Sequence, residues 1–152
     1  MIELVQENNL HVINRIIEID QEAFGSGGMN EWHLLPLVRH GRVFVIKEND
    51  FIMGSIQYLL DWDNRKKAYL FGIAIAKEGR SKGFGSKLIA GSVSKLTKDD
   101  IEEIELTVDP ANTLAINIYQ RKFGFIVTGF RKNEYGNNED RLIMTLNLKN
   151  NI

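Results

Sequence analysis

Residues 70–87 read LFGIAIAKEGRSKGFGSK: an apolar run, a polar loop bearing glycines, and the opening of a second apolar periodicity. The almost wholly apolar segment 68–76 (AYLFGIAIA) predicts a strand covered on both faces. Leu88, Ile89, Ser92, Val93 and Leu96 form the stripe of a helix. A strand that runs through a glycine loop directly into a helix aims unpaired backbone N–H groups and a positive helix end at one spot, which suits phosphate. Gly83 and Gly85 let an anion approach the backbone, and Arg80, Lys82 and Lys87 add charge. Two nucleotide motifs fail here. A Walker A loop counted from Gly79 needs glycine where Phe84 stands, and the dinucleotide pattern counted from Gly83 needs it where Leu88 stands. What remains is Arg-x-x-Gly-x-Gly at Arg80, Gly83 and Gly85, which by itself is equally a glycine-rich turn ahead of a helix.

Working outward, residues 2–6 predict a first strand, and Leu10, Ile13, Ile16, Ile17 and Phe24 predict a helix broken by Gly25, Ser26, Gly27 and Gly28. A shorter helix follows from Asn30, a candidate N-cap, through Trp32, Leu35 and Val38 to Gly41. Residues 43–47 and 51–60, separated by Glu48, Asn49 and Asp50, predict a hairpin, and residues 61–66 a polar turn. Beyond the central helix, Ile104, Leu106 and Val108 alternate with Glu103, Glu105 and Thr107 as in a strand with one apolar face. Residues 112–123 predict a helix, and 125–130 and 141–148 two closing strands. The order β-α-α-β-β-β-α-β-α-β-β describes an α+β fold, a mixed sheet with helices on it.

The chain has 152 residues, 43% apolar and 26% charged, which predicts one globular domain over residues 1–152. Nineteen Lys and Arg against twenty Asp and Glu argue against a uniformly basic nucleic-acid binder. The absence of cysteine excludes disulfides, Cys-based zinc sites and a thiol nucleophile. No signal-peptide pattern or membrane-length apolar run stands in the sequence, and a cytoplasmic protein is expected. The net charge of -1 is a cancellation: residues 65–98 hold nine basic residues against the single Glu78, whereas residues 1–64 hold four against ten acidic ones. The basic block coincides with the phosphate-suited loop and helix, and the acidic part suits a cationic ligand.

A second stretch, 105–126 (ELTVDPANTLAINIYQRKFGFI), carries Asn112, Ala115, Tyr119 and the turn Phe123-Gly124-Phe125. With the Arg-x-x-Gly-x-Gly loop it resembles the GCN5-related N-acetyltransferase (GNAT) superfamily, whose corresponding stretch reads Asn-x-x-Ala-x-x-x-Tyr-x-x-x-Gly-Phe. Residues 129–146 (GFRKNEYGNNEDRLIMTL) resemble the last hairpin of those enzymes. Among them the ribosomal-protein alanine N-acetyltransferases are the most similar. The resemblance implies a mostly antiparallel mixed sheet with helices on both faces, splayed between the fourth and fifth strands. It implies acetyl-CoA as co-substrate and no metal. Arg80, Ser81, Lys82, Gly83, Phe84, Gly85 and Ser86 would cradle the diphosphate, and the backbone edge of Ile73, Ala74 and Ile75 would pair with the pantetheine amides. Asn112 is either a plain helix cap or also a contact to the pantetheine arm. Tyr119 matches the general acid that gives its proton to the departing thiolate, the other reading being core packing with a hydrogen-bonded tip.

One departure concerns the base. The glutamate that the alanine N-acetyltransferases use is matched here by Thr107, and Glu105 lies one strand repeat back, about 7 Å away. Tyr69 and Glu31 are further candidates acting through water, each equally an ordinary surface or packing residue. A missing carboxylate favours an acceptor of low pKa, such as an α-amino group near 8 rather than a lysine amine near 10.4. The partners expected are acetyl-CoA and an amine acceptor, a cationic one on the charge pattern. A homodimer is compatible with this, and neither nucleic acid nor a membrane is expected. The alternative reading is a catalytically silent acyl-CoA-binding or sensor domain.

Overall fold

The computed structural model describes residues 1–6 and 9–150. Its elements are β1 (Ile2–Leu4), α1 (Leu10–Phe24), α2 (Glu31–His40), β2 (Arg42–Glu48), β3 (Phe51–Leu60), β4 (Lys67–Ile75), α3 (Phe84–Lys98), β5 (Glu103–Val108), α4 (Thr113–Phe123), β6 (Ile126–Arg131) and β7 (Arg141–Asn147). The expected order of strands and helices is met at every step. The strands form one seven-stranded sheet in the order β1-β2-β3-β4-β5-β7-β6. The β1–β2, β2–β3, β5–β7 and β6–β7 pairs are antiparallel, and β4–β5 is parallel.

The chain divides into two compact units, Met1–Leu59 with Leu70–Lys98, and Leu60–Tyr69 with Asp99–Ile152. In the first unit, Ile13, Ile16 and Ile19 of α1 and Leu34 and Leu37 of α2 bury themselves with Val43 and Val45 of β2 and Ala74 of β4. Caps fix the ends of the helices. Asn9 Oδ1 accepts from Val12 N–H at 3.2 Å. Asn30 caps α2, its Oδ1 accepting from Trp32 N–H while His33 Nδ1 accepts from Asn30 N–H, as a capping box requires. Gly41 caps the end of the helix, its N–H donating to the Leu37 carbonyl at 2.8 Å, and a Cβ there would collide with the Tyr58 carbonyl oxygen. β2 and β3 join through Asn49 and Asp50, both at positive φ (52° and 68°), as in a tight primed hairpin turn. Across the sheet Tyr58 Oη and Ser92 Oγ share a buried hydrogen bond of 2.8 Å, which ties β3 to α3.

β4 departs from expectation. Its apolar run predicts cover on both faces, yet only Ala68, Leu70 and Ala74 are buried, while Tyr69, Ile73 and Ile75 are half-buried and Phe71 is 47% exposed. The small residues occupy the covered face and most of the larger ones the open face, an arrangement that uniform apolarity conceals. The parallel ladder to β5 runs over three residues, Lys67↔Glu103, Ala68↔Ile104 and Tyr69↔Glu105.

In the second unit β5 lies against β7 from Glu103↔Asn147 to Val108↔Leu142, and Ile104, Leu106, Met144, Leu146 and Phe125 are buried. The opposite parity, Glu105, Thr107, Arg141 and Ile143, is half-buried.

Candidate active site

The first unit carries the loop. After β4 a single tight turn, Lys77–Gly79, packs Gly79 against Met53 and Phe84, where a Cβ would stand 3.0 Å from either side chain, and so seats the buried Phe84 that opens α3. Between them Ser81 (φ 65°) and Gly83 (φ 81°) take left-handed backbone. For Ser81 this costs about 1–2 kcal/mol. The sign of φ therefore changes at Ser81 and again at Gly83, and α3 opens directly after. Lys87 N–H donates to the Gly83 carbonyl at 3.1 Å, which closes the first turn of α3 on the loop. A Cβ at Gly83 would meet nothing within 4 Å, so the missing side chain leaves open space in front of the backbone.

The sequence-predicted residues Ile73, Ala74, Ile75, Arg80, Ser81, Lys82, Gly83, Phe84, Gly85 and Ser86 are brought together within this unit. Arg80 Nε donates to the Ile75 carbonyl at 3.3 Å, and a Cβ at Gly85 would lie 3.9 Å from Ile75 Cγ1. Lys82 and Lys87 are exposed, with Lys87 Nζ 5.9 Å from the Phe84 ring centroid. Glu78, the lone acid of residues 65–98, is answered by Arg15 at 2.7 Å. The donor set fits a diphosphate.

The second unit carries Asn112 and Tyr119, both on α4. Asn112 is the N-cap, its Oδ1 accepting from Ala115 N–H at 3.2 Å. Tyr119 is half-buried and anchored by Phe125, whose N–H donates to the Tyr119 carbonyl at 3.0 Å and whose ring meets the phenol edge to face at 5.5 Å. Gly124 makes that turn in left-handed backbone (φ 79°). Burial raises the phenol's pKa above the ordinary 10.0, with the Arg141 charge pulling the other way. The hydroxyl is therefore protonated at neutral pH, as a proton donor must be.

On the half-buried parity of β5 and β7 stands a cluster read only in part from the sequence. Tyr69 Oη and Thr107 Oγ1 share a hydrogen bond of 3.0 Å. Arg141 donates from Nε to Thr107 Oγ1 at 3.3 Å and from Nη2 to the Thr107 carbonyl at 3.0 Å. Its guanidinium lies 5.3 Å from the Tyr135 ring centroid. Burial raises the Tyr69 pKa, opposed by the Thr107 bond and seconded by Tyr135. Of the alternative bases, Glu105 is held by Lys67 at 3.0 Å and Arg131 at 3.7 Å, and Glu31 is exposed in the first turn of α2. Tyr135 and Arg141 were not singled out by sequence reasoning. The signal present was a lone arginine opening the apolar strand RLIMTL, with a parity that cannot be assigned without its register to Thr107.

A family model described as "Acetyltransferase (GNAT) family" matches residues 10–125. An N-terminal acetyltransferase complex ARD1 subunit homolog from Dictyostelium discoideum is 26% identical over 99 residues, 64% of this chain, and the matched stretch spans 49% of that protein, about half its length. The fold is shared with the ribosomal-protein-S18-alanine N-acetyltransferase from Escherichia coli (22% identity, TM-score 0.81, covering 97% of this chain and 94% of that one). It is shared as well with a GNAT family acetyltransferase from Elizabethkingia anophelis solved with acetyl-CoA bound (17% identity, TM-score 0.77, covering 97% of each chain).

Proposed function

The chain belongs to the acetyltransferase (GNAT) family, and from that membership we propose that it transfers the acetyl group of acetyl-CoA directly to a primary amine, on a small molecule or at the N-terminus of a peptide or protein, in a ternary complex. The observation that carries this is the loop at Arg80–Ser86, where Ser81 and Gly83 take left-handed backbone and the space that a Cβ of Gly83 would fill is open. Acetyl-CoA supplies the acyl group as an activated thioester. Arg80, Ser81, Lys82, Gly83, Phe84, Gly85 and Ser86 hold the diphosphate, and the backbone of Ile73, Ala74 and Ile75 takes the pantetheine amides and polarises the thioester carbonyl. Asn112 spends its Oδ1 on the α4 cap and has its amide nitrogen for the pantetheine arm. As nitrogen bonds to carbon and the carbon–sulfur bond breaks, Tyr119 delivers its proton to the departing sulfur, the nitrogen gives up one proton to solvent, and solvent returns one to the Tyr119 phenolate.

No carboxylate stands at Thr107 and Glu105 is engaged by two cations. An acceptor amine that is already partly neutral, such as an α-amino group, fits that arrangement. The balance of -6 over residues 1–64 (four basic, ten acidic) supports a cationic amine in solution. A cytoplasmic location belongs to the same reading, a homodimer is compatible with it, and nucleic acid has no part in it. Among the described residues no helix is long and apolar enough to cross a membrane.

The test is thiol release from acetyl-CoA against a panel of amines that includes peptides with different N-terminal residues. Acceptor-dependent release is expected. The engaged state of Glu105 favours one other reading, a silent acyl-CoA sensor, and tight acetyl-CoA binding with no acceptor-dependent release would establish that instead.

A further inference from the structure

Two cations of the second unit are half-buried, Lys67 and Arg141, and their surroundings differ. Lys67 has Glu105 at 3.0 Å and Asp61 at 3.8 Å. Arg141 has no carboxylate partner among the described residues. Two of its nitrogens are spent on Thr107, and Nη1 makes no hydrogen bond among the described residues. Of the acids near it in sequence, Glu139 is exposed and makes no ion pair with it, and the other two are engaged elsewhere. Asp140 Oδ1 accepts from Asn133 N–H at 2.8 Å and so shapes the turn that lays Tyr135 beside the guanidinium. Glu134 pairs with Arg131, the cross-strand neighbour of Arg141. A half-buried guanidinium with a free edge, flanked by the hydroxyls of Thr107 and Tyr69 and by the Tyr135 ring, presents one positive charge and a planar set of donors. That combination matches a carboxylate.

We propose that Arg141, supported by Thr107, Tyr69 and Tyr135, binds a carboxylate of the amine acceptor, so that the substrate class is an amine carrying an acid group: a free amino acid, or a peptide with an acidic residue near its N-terminus. The inference rests on the acetyltransferase reading and names the acceptor for it. It also gives a physical sense to Thr107: a glutamate at that position would satisfy Arg141 from within and close the site to an external anion. The Arg141 charge also bears on the Tyr119 phenol, the proton donor of that reading. A cationic amine and an anionic group on one acceptor are compatible, since an amino acid carries both.

The experiment compares kcat/KM for matched acceptors on the full chain. One arm uses L-alanine, L-glutamate and L-aspartate against their α-amides. The other uses C-amidated tetrapeptides beginning with Asp or Glu against those beginning with Asn or Gln. A preference of about tenfold or more for the acid partner is expected in one arm, the value of one charge-assisted hydrogen-bonded pair, and the arm that shows it identifies the source of the carboxylate. Arg141→Gln and Thr107→Glu should bring the ratio toward unity through KM, and Arg141→Lys should restore part of it. A wild-type ratio near one in both arms, or a ratio unmoved by Arg141→Gln, overturns the proposal. If no acceptor releases CoA, the acetyltransferase reading fails, and equilibrium binding decides the Arg141 inference separately. With CoA present, L-glutamate should then bind about tenfold more tightly than its α-amide, and equal binding overturns it.

Discussion

Tyr119 is protonated at neutral pH as any phenol is, and its surroundings extend that range upward. Burial disfavours the phenolate, and the Arg141 charge only partly offsets this, so the hydroxyl stays neutral beyond its ordinary 10.0. Tyr119→Phe keeps the ring that meets Phe125 and removes the proton, so kcat should fall by about 10²–10⁴-fold with little change in acetyl-CoA affinity. An unchanged kcat would take Tyr119 out of the reaction. The sign of the shift also fixes the pH profile. A raised pKa places the alkaline loss of kcat above pH 10, and Arg141→Gln, by removing the opposing charge, should move that limb higher still. That Asn112 and Tyr119 share one helix was legible in the sequence, because a seven-residue spacing is a local property. Arg141 was not, since its partner Thr107 lies 34 residues away and only strand register makes them neighbours.

At the scale of elements, hydrophobic period and caps act over a few residues, which is why the order of strands and helices could be read in advance. Asn30 and Gly41 bound α2 as its sequence implies. The faces of β4 could not be read, because an all-apolar strand gives no indication of which side its neighbours cover. Two glycines separate stability from binding. Gly41→Ala drives a Cβ onto the Tyr58 carbonyl oxygen at 2.4 Å and the Leu37 carbonyl oxygen at 2.9 Å. It should cost about 1–3 kcal/mol in denaturant unfolding. Gly83→Ala meets no atom within 4 Å but holds an L residue at φ 81°, a cost of about 1–2 kcal/mol. Its larger effect should be on calorimetric CoA affinity, since the methyl group fills the space before the loop's backbone. A variant that loses stability but binds CoA as before would move the diphosphate away from this loop.

Over the whole molecule the charge of -1 conceals a basic stretch of nine Lys and Arg against one Glu at residues 65–98 and an acidic one at residues 1–64. Steering of an anionic coenzyme follows from the first. The association rate of CoA should fall as salt rises from about 0.02 to 0.5 M, while a neutral pantetheine fragment shows no such dependence. Equal salt sensitivity of the two would remove the basic stretch from the encounter. The division of the chain bears on synthesis as well. Every residue of the first unit precedes Asp99, whereas the second needs both Leu60–Tyr69 and the residues from Asp99 onward. While the chain is being made, Lys67, Ala68 and Tyr69 therefore wait as an unpaired strand edge until Glu103, Ile104 and Glu105 emerge to close the parallel ladder. For that interval these three residues offer an edge open to wrong pairing, and Lys67 places a charge on it.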